Sequence, residues 1–235
     1  MDITHLDMDG IKALTFDRHE LDPIIFDIET GPSNDLLLME SLKPDFTAPS
    51  NWKDPAKIEK YIAEKEEEWL EKAALNPLTG GIVAFGFRFK GINYSILGGG
   101  SPPPECHILT GIKELAQRAG QRPWVGHNIK DFDLPFICRR MLKWGFSLPL
   151  GWRNDRYWSS FFEDTKEMWS FGKFGDFISL DRLAKFFGQE GKMGKSGKDF
   201  SMRLLVDPDE AYAYLAKDLE LSEYVYKRLK NADQQ

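Results

Sequence analysis

The sequence of 235 residues is long enough to bury one sizeable hydrophobic core, with room for an insertion but not for a full second domain. Its hydrophobic content of 42% and charged content of 29% are ordinary for a globular protein. The two cysteines, Cys106 and Cys138, lie far apart, which argues against a disulfide scaffold or a zinc site and favours a reducing compartment. No apolar run is long enough to span a membrane, and the acidic start lacks the features of a signal peptide, so we expect a cytoplasmic protein.

The net charge of −6 argues against a protein that neutralises a long stretch of nucleic acid. The charge is unevenly distributed, however, because residues 181–203 carry six basic residues against three acidic ones. An enzyme that binds a few nucleotides at a strand end needs far fewer phosphate contacts than a protein that wraps a duplex. The overall charge therefore excludes little, and the local basic segment mildly favours an anionic ligand.

The apolar run at residues 23–29 ends in a Gly-Pro turn, which predicts a short and largely buried β-strand. Successive side chains of a strand point to opposite faces, so Asp27 and Glu29 project to the same side. Two carboxylates on one face of a buried strand repel each other and lose hydration, which raises their pKa values. A divalent cation that prefers oxygen ligands, Mg²⁺ or Mn²⁺, would remove this repulsion. Taken alone, such a pair is more often a solvated strand end than a metal site.

A long insertion follows this strand, from residue 32 to about residue 76. Within it, Asp54 and Pro55 form an N-cap and first-turn pair, which predicts a helix to about residue 75. This helix has one apolar side, and glutamates crowd the rest of its surface. It is either a lid or partner surface or a solvated helix over one sheet edge, and we favour the second. We predict a single domain over residues 1–235 that contains the insertion.

The rest of the chain alternates between strand and helix signals. Residues 1–20 show no clear period and are expected to form a strand or an arm packed on the core. The other predicted elements are a hairpin at 82–87 and 92–97, a helix at 110–119, a strand at 123–126, a helix at 131–144 stopped by Gly145, an irregular aromatic segment at 146–178, a helix from Ser179 to Gly188, a Gly/Lys loop at 188–200 and a last helix from Asp207. This order predicts a mixed sheet flanked by helices.

Two further stretches place carboxylates where they could join the first pair. Asp133 lies in residues 126–136, where a strand end runs into a helix, a common location of ligand sites in α/β sheets. In the last helix, Tyr214 and Asp218 are four residues apart, so they share one face. Apolar residues around them predict that this helix packs on the core.

These three stretches resemble, in order, the three motifs of the DEDD 3′-5′ exonucleases. The matching residues are 26–30 (Phe-Asp-Ile-Glu-Thr), 126–135 (Gly-His-Asn-Ile-Lys-Asp-Phe-Asp-Leu-Pro) and the pair Tyr214 and Asp218. The tyrosine is typical of the DEDDy branch, since the other branch has a histidine five residues before the last acid, where this chain has Ala213. The second motif is especially similar to the proofreading domains of family B DNA polymerases and to stand-alone phage and bacterial relatives.

The resemblance implies an α/β, ribonuclease H-like fold and hydrolysis with two divalent cations, Mg²⁺ or Mn²⁺. It implies that Asp27 bridges both metals, that Glu29 and Asp218 bind the metal on the nucleophile side, and that Asp133 holds the second metal through water. Tyr214 would orient the attacking water, because a phenol with a reference pKa of ~10 is a poor base near neutrality.

Contacts to the substrate are less clearly indicated. Asn128 and Phe132 are expected to position the terminal nucleotide, although core packing explains Phe132 equally well. Lys192, Lys195 and Lys198 could hold backbone phosphates, or they could form a solvated basic loop.

The expected function is a metal-dependent 3′-5′ exonuclease that releases nucleoside monophosphates from the 3′ end of nucleic acid, with single-stranded DNA as the expected substrate. Two alternatives stay open, an RNA 3′-5′ exonuclease and a non-catalytic nucleic-acid-binding module with the same fold. We expect His127 to be structural rather than catalytic, and Asp164 to cap a helix rather than to support a metal ligand.

Overall fold

The computed structural model describes residues 2–17, 19–96, 104–152, 161–173, 175–191 and 200–231. Within these ranges, a six-stranded sheet is accompanied by nine helices. The strands are β1 (Thr4–Leu6), β2 (Ile24–Pro32), β3 (Gly80–Phe89), β4 (Ile92–Ile96), β5 (Trp124–Gly126) and β6 (Phe162–Asp164). The helices are α1 (Met8–Ala13), α2 (Leu36–Leu42), α3 (Pro55–Ala73), α4 (Glu105–Ala119), α5 (Asp133–Lys143), α6 (Thr165–Ser170), α7 (Leu180–Phe186), α8 (Phe200–Val206) and α9 (Pro208–Lys230).

The sheet is mixed, with the strand order β1-β4-β3-β2-β5-β6. Strands β3 and β4 form the predicted antiparallel hairpin, whose turn at Lys90 and Gly91 has positive φ angles of 49° and 79°. The pairs β1–β4, β2–β5 and β5–β6 are parallel. The predicted α/β architecture, a mixed central sheet flanked by helices with a helical insertion, is therefore confirmed.

Strand β2 follows the two-residue period expected of a buried strand. Phe26 belongs to the main hydrophobic cluster, together with residues of α1, α4 and α5. Its neighbour Ile25 instead belongs to a small cluster with Tyr226 of α9. The alternation therefore turns Asp27 and Glu29, like Ile25, toward the side of the sheet that carries α9.

Helix α9 begins where the sequence predicted and approaches the sheet closely. The Asp207 carboxylate accepts a hydrogen bond of 3.0 Å from the amide of Glu210, with Pro208 in the first turn. A Cβ atom at Gly86 of β3 would lie 2.8 Å from Cγ of Leu215. The glycine therefore leaves room for the helix, and this packing fixes the height of α9 over the sheet.

The chain divides into two compact units, residues 30–81 and the remaining residues. In the smaller unit, Asp54 accepts hydrogen bonds from the amides of Ala56 and Lys57, and α3 starts at Pro55 as predicted. The short α2, capped by Asp35, was not predicted. That the whole chain acts as a single exonuclease domain stays a prediction.

Two sequence-based predictions were wrong. The Gly-Pro pair at residues 31–32, expected to form a turn after the strand, instead forms the end of β2. Residues 146–178, expected to be irregular, contain β6 and α6. The strand is only three residues long and pairs with β5, so its formation depends on a distant partner rather than on local periodicity. Helix α8 was likewise not predicted. None of the helices in the described ranges is long and apolar enough to cross a membrane.

Candidate active site

Three carboxylates from opposite ends of the chain meet on one side of the sheet. Asp27 and Glu29 come from β2 and Asp218 comes from α9, and one oxygen of each lies within 4.8 Å of the others. Glu29 and Asp218 are buried, with 8% and 3% of their surface exposed, and Asp27 is half-buried. The structure thus brings together the acids of the first and third motifs.

The fourth predicted acid, Asp133, approaches the same strand from α5. Its Oδ1 accepts a hydrogen bond of 3.1 Å from the backbone amide of Ile28, the residue between Asp27 and Glu29. Burial raises the pKa of Asp133 well above its ordinary value, and the nearby carboxylate of Asp27 raises this pKa further. Asp133 is not one of the three residues whose oxygens cluster most tightly, but it lies against the strand that carries two of them.

This donor set fits a hard divalent cation. Carboxylate oxygens are the ligands that Mg²⁺ and Mn²⁺ prefer, and like charges crowded in a partly desolvated place are stabilised by a cation between them. Asp27, Glu29 and Asp218 could therefore hold a metal ion. Asp133 is close enough to Asp27 for the two carboxylates to affect each other's charge.

Tyr214 lies one turn before Asp218 on α9 and is buried, with 4% of its surface exposed. Its ring centroid is 6.4 Å from that of Phe200, and the guanidinium of Arg203 lies 4.8 Å from the Tyr214 ring. Both contacts come from α8, so this helix fixes the position of the tyrosine ring.

The second motif forms a tight turn held by Asp164 and Lys166. Asn128 has a positive φ of 66°, and its amide donates a hydrogen bond of 2.8 Å to Asp164. Asp164 also accepts from the amides of Lys130, at 3.0 Å, and Lys166, at 2.9 Å, and it is the N-cap of α6. The Lys166 ammonium donates to Oδ1 of Asn128 at 2.6 Å and to Asp131 at 2.7 Å. The expected capping role of Asp164 is confirmed.

His127 ties the same turn to neighbouring elements. Its Nε2 lies 2.9 Å from the carbonyl oxygen of Ile178, and its Nδ1 lies 3.0 Å from Oγ1 of Thr165. At the preceding residue, a Cβ atom on Gly126 would lie 2.8 Å from the carbonyl oxygen of Phe26, so only glycine allows this approach to β2. These contacts support the structural role that was expected for the histidine.

The structure describes only some of the residues that were predicted to contact the substrate. Phe132 is half-buried, packs against the main cluster and has its ring centroid 5.6 Å from that of Phe136. Core packing is therefore present, and a contact with a nucleotide stays a prediction for Phe132 as for Asn128. The three predicted phosphate-binding lysines, Lys192, Lys195 and Lys198, lie outside the described residues.

Sequence reasoning missed Lys166. Its partner Asn128 is 38 residues away, and no motif or periodicity links the two positions. The only available signal was the clustering of charged residues after Phe162, which does not indicate a contact with the second motif.

A scan against protein-family models and a search of curated proteins both find no match. Among solved structures, the chain is similar to the family B DNA polymerase from the hyperthermophilic archaeon Pyrobaculum calidifontis, with a TM-score of 0.58 and 16% sequence identity. The alignment covers 89% of this chain and 24% of the polymerase, so this chain spans about a quarter of that protein's length. At this identity the likeness shows the fold alone, and this fold is consistent with the predicted ribonuclease H-like class.

Proposed function

We propose that the protein is a metal-dependent 3′-5′ exonuclease that removes nucleoside monophosphates from the 3′ end of nucleic acid, preferably single-stranded DNA. The observation that carries this proposal is the meeting of Asp27, Glu29 and Asp218, with Asp133 against the same strand. The resemblance of the three motifs to the DEDDy branch also supports it, and the similarity in fold to part of a family B DNA polymerase is consistent with it.

In this proposal, Asp27, Glu29, Asp133 and Asp218 hold two divalent cations, Mg²⁺ or Mn²⁺. Such cations supply the positive charge that stabilises the attacking and leaving oxygens of a phosphodiester in hydrolysis. The protein's own contribution is to fix the four carboxylates, two from a rigid strand and two from helices packed against it. Because the carboxylates are buried or half-buried, they attract a cation more strongly than exposed acids would.

The remaining steps fall to residues around the carboxylates. Tyr214 is proposed to orient the attacking water by a hydrogen bond, on the same helix face as Asp218. Asn128 and Phe132 are proposed to position the terminal nucleotide. Water attacks the phosphorus of the last phosphodiester, and the bond from that phosphorus to the 3′ oxygen of the shortened strand breaks. The attacking water loses a proton to solvent, the departing 3′ oxygen takes one up, and a nucleoside monophosphate leaves. The two free cysteines are consistent with the proposed cytoplasmic location.

The test is digestion of end-labelled oligonucleotides, single- and double-stranded, DNA and RNA, with Mg²⁺, Mn²⁺ or EDTA. We expect ladders that shorten from the 3′ end only when a divalent cation is present, and we expect 3′-blocked substrates to survive. An Asp27→Asn variant purified in parallel controls for a contaminating nuclease. Full activity in excess EDTA would refute the metal assignment, and rapid cutting of circular single-stranded DNA would indicate an endonuclease.

The same experiment separates the two alternatives. Faster digestion of RNA than of DNA would favour the RNA exonuclease. Absence of cleavage together with binding of oligonucleotides would favour the non-catalytic module, and titration calorimetry with Mn²⁺ would then show whether the carboxylates bind metal at all. The presence of all four acids and the tyrosine argues against a non-catalytic module.

A further inference from the structure

A cavity of about 440 Å³ lies next to the second motif. Its wall includes Asp131, two residues before the proposed metal ligand Asp133, and it continues along α6 to Phe177. The charged and aromatic residues that line it are Asp131, Lys166, Glu167, Lys173, Asp176 and Phe177. The metal ligands, the proposed water-orienting tyrosine and Phe132 do not line it, so the proposed chemistry leaves this cavity unused.

The charges of the cavity do not suit a phosphate group. Its lining carries two lysines and three carboxylates, and the ammonium of Lys166 already lies 2.7 Å from Asp131. Glu167 in turn pairs with Lys130 at 2.6 Å. A phosphate would meet carboxylates as well as cations, whereas a neutral group with both hydrogen-bond donors and acceptors can pair with either kind of side chain.

The aromatic side chain of the cavity suits a flat ligand. Phe177 is 74% exposed, and the ammonium of Lys166 lies 4.5 Å from the centre of its ring. An exposed aromatic ring at the edge of a cavity is the kind of surface on which a nucleobase stacks, because every base has a π-face. Cations next to such a ring add to the stacking interaction.

Lys166 connects the cavity to the proposed active site. Only 15% of its side chain is exposed, and besides Asp131 it holds the side-chain oxygen of Asn128 at 2.6 Å. Asn128 belongs to the second motif, whose other end supplies Asp133. A ligand that packs on Phe177 would therefore lie one side chain away from the residue proposed to position the terminal nucleotide.

We propose that this cavity binds one base of the single-stranded substrate, stacked on Phe177 and bordered by Lys166. The inference rests on the proposed function and specifies part of its substrate contact. It implies that recognition extends beyond the terminal nucleotide and depends on a base rather than on a phosphate.

The test combines a variant with an altered substrate. Binding of a short 5′-fluorescein-labelled single-stranded oligonucleotide is measured by anisotropy in Ca²⁺, with a series of probes that each lack one base. For the wild-type protein we expect one abasic position to weaken binding by about 5- to 150-fold, the range of base–aromatic stacking. Phe177→Ala should weaken binding of the intact probe similarly, while Phe177→Trp should retain it.

The two changes should not be additive. In Phe177→Ala, removal of the base at that position should lower the affinity for the oligonucleotide by no more than about two-fold, because the stacking partner is already absent. Phe186→Ala is the matched control, since Phe186 is 68% exposed on α7 and does not line the cavity. This control should bind every probe as the wild type does, and a cooperative thermal melt of each variant confirms that it is folded.

Two failures are distinguishable. If the wild type cuts and binds the oligonucleotide but Phe177→Ala binds every probe with wild-type affinity, the cavity is not a base site and the proposed exonuclease stands. If the wild type binds no oligonucleotide and cuts none, both the inference and the proposed function fall.

Discussion

Helix α9 carries acidic residues in two contrasting surroundings. Near its middle, Asp218 lies within 4.8 Å of Asp27 and Glu29, so carboxylates face carboxylates. Little more than one turn later, Glu223 accepts a hydrogen bond of 2.8 Å from Arg88 and pairs with Lys227 at 3.0 Å. Both regions remove carboxylates from full contact with water, and they differ in the sign of the neighbouring charge.

The direction of the pKa shifts follows the neighbours. Burial raises the pKa of Asp133 and the carboxylate of Asp27 raises it further. Burial alone would also raise the pKa of Glu223, but the hydrogen bonds from Arg88 and Lys227 outweigh burial and lower it. The pKa shift of Asp133 thus follows from burial and a neighbouring carboxylate, whereas that of Glu223 follows from two basic neighbours. We infer that the paired region stabilises the fold and that the crowded region serves binding.

The largest effect is expected at Asp218. Asp218→Asn keeps the size of the side chain but removes a charge from the crowded region, so turnover should fall by about 10³-fold or more. The stabilisation that Mn²⁺ gives in thermal melts should also decrease. Single-turnover cleavage of a short labelled oligonucleotide measures the first effect.

The matched control is Glu223→Gln, the same acid-to-amide change one region further along α9. Its cleavage rate and its response to Mn²⁺ should equal those of the wild type. If Asp218→Asn cuts at a near-normal rate, the third motif is a chance match. If both variants lose activity equally, the distinction between the two regions is wrong.

A smaller loss is expected at Tyr214, which lies beside the crowded region without contributing a charge. Tyr214→Phe removes one hydroxyl group that is proposed to orient water. The loss of turnover should be smaller than the ~10²–10⁴-fold typical of a lost general acid or base. Oligonucleotide affinity in Ca²⁺ and the metal titration should hardly change.

Tyr212→Phe is the control for the register of α9, because the Tyr212 ring packs with its centroid 4.5 Å from that of His5. Full activity of Tyr214→Phe together with a crippled Tyr212→Phe would show that the tyrosine has been misassigned.

The sequence predicted those parts of the molecule that depend on local signals. The caps Asp54 and Asp207, the hairpin and the alternation that puts Asp27 and Glu29 on one face all depend on residues a few positions apart. The contact of Asp218 with the acids of β2 is a long-range contact, which the spacing of residues could not predict. The resemblance of the three motifs, in order, to a known family predicted it.

Apart from the short helices α2 and α8, the parts that were missed depend on distant partners. Strand β6 forms because it pairs with β5, and Asp164 and Lys166 reach the second motif across more than thirty residues. The pairing of Glu223 with Arg88 spans 135 residues and likewise leaves no periodic trace. The sequence therefore indicated which acids could act, but not which acids are neutralised.

The paired region can be tested through stability. Arg88→Met would leave the partly buried Glu223 without its main donor, and only 16% of the Arg88 side chain is exposed. The free energy of unfolding should fall by about 1.5–3 kcal/mol, the usual size for a hydrogen bond to a charged group. Urea denaturation at pH 7 measures the change, and the cleavage rate of the folded variant should not change.

The comparison for this variant is Lys185→Met, which breaks an exposed pair of the same 2.8 Å length with Asp181. Because surface ion pairs contribute little, the change in stability should be within about 1 kcal/mol. Equal losses in the two variants would mean that burial does not distinguish the pair on α9 from an ordinary surface pair.

The smallest expected effect is a change in the pH dependence of stability. Because the pKa of Glu223 is lowered in the folded protein, the ionised form stabilises the fold above the unfolded-state pKa, near 4.5. This contribution is lost as the pH falls from that value through the lowered pKa. Glu223→Gln lacks this contribution at every pH, so the wild type should be more stable than the variant at pH 7. The difference should shrink steadily in acid. Urea denaturation of both proteins across this range measures it, and a difference that stays constant or grows below pH 4.5 would show that Arg88 and Lys227 do not hold this carboxylate ionised.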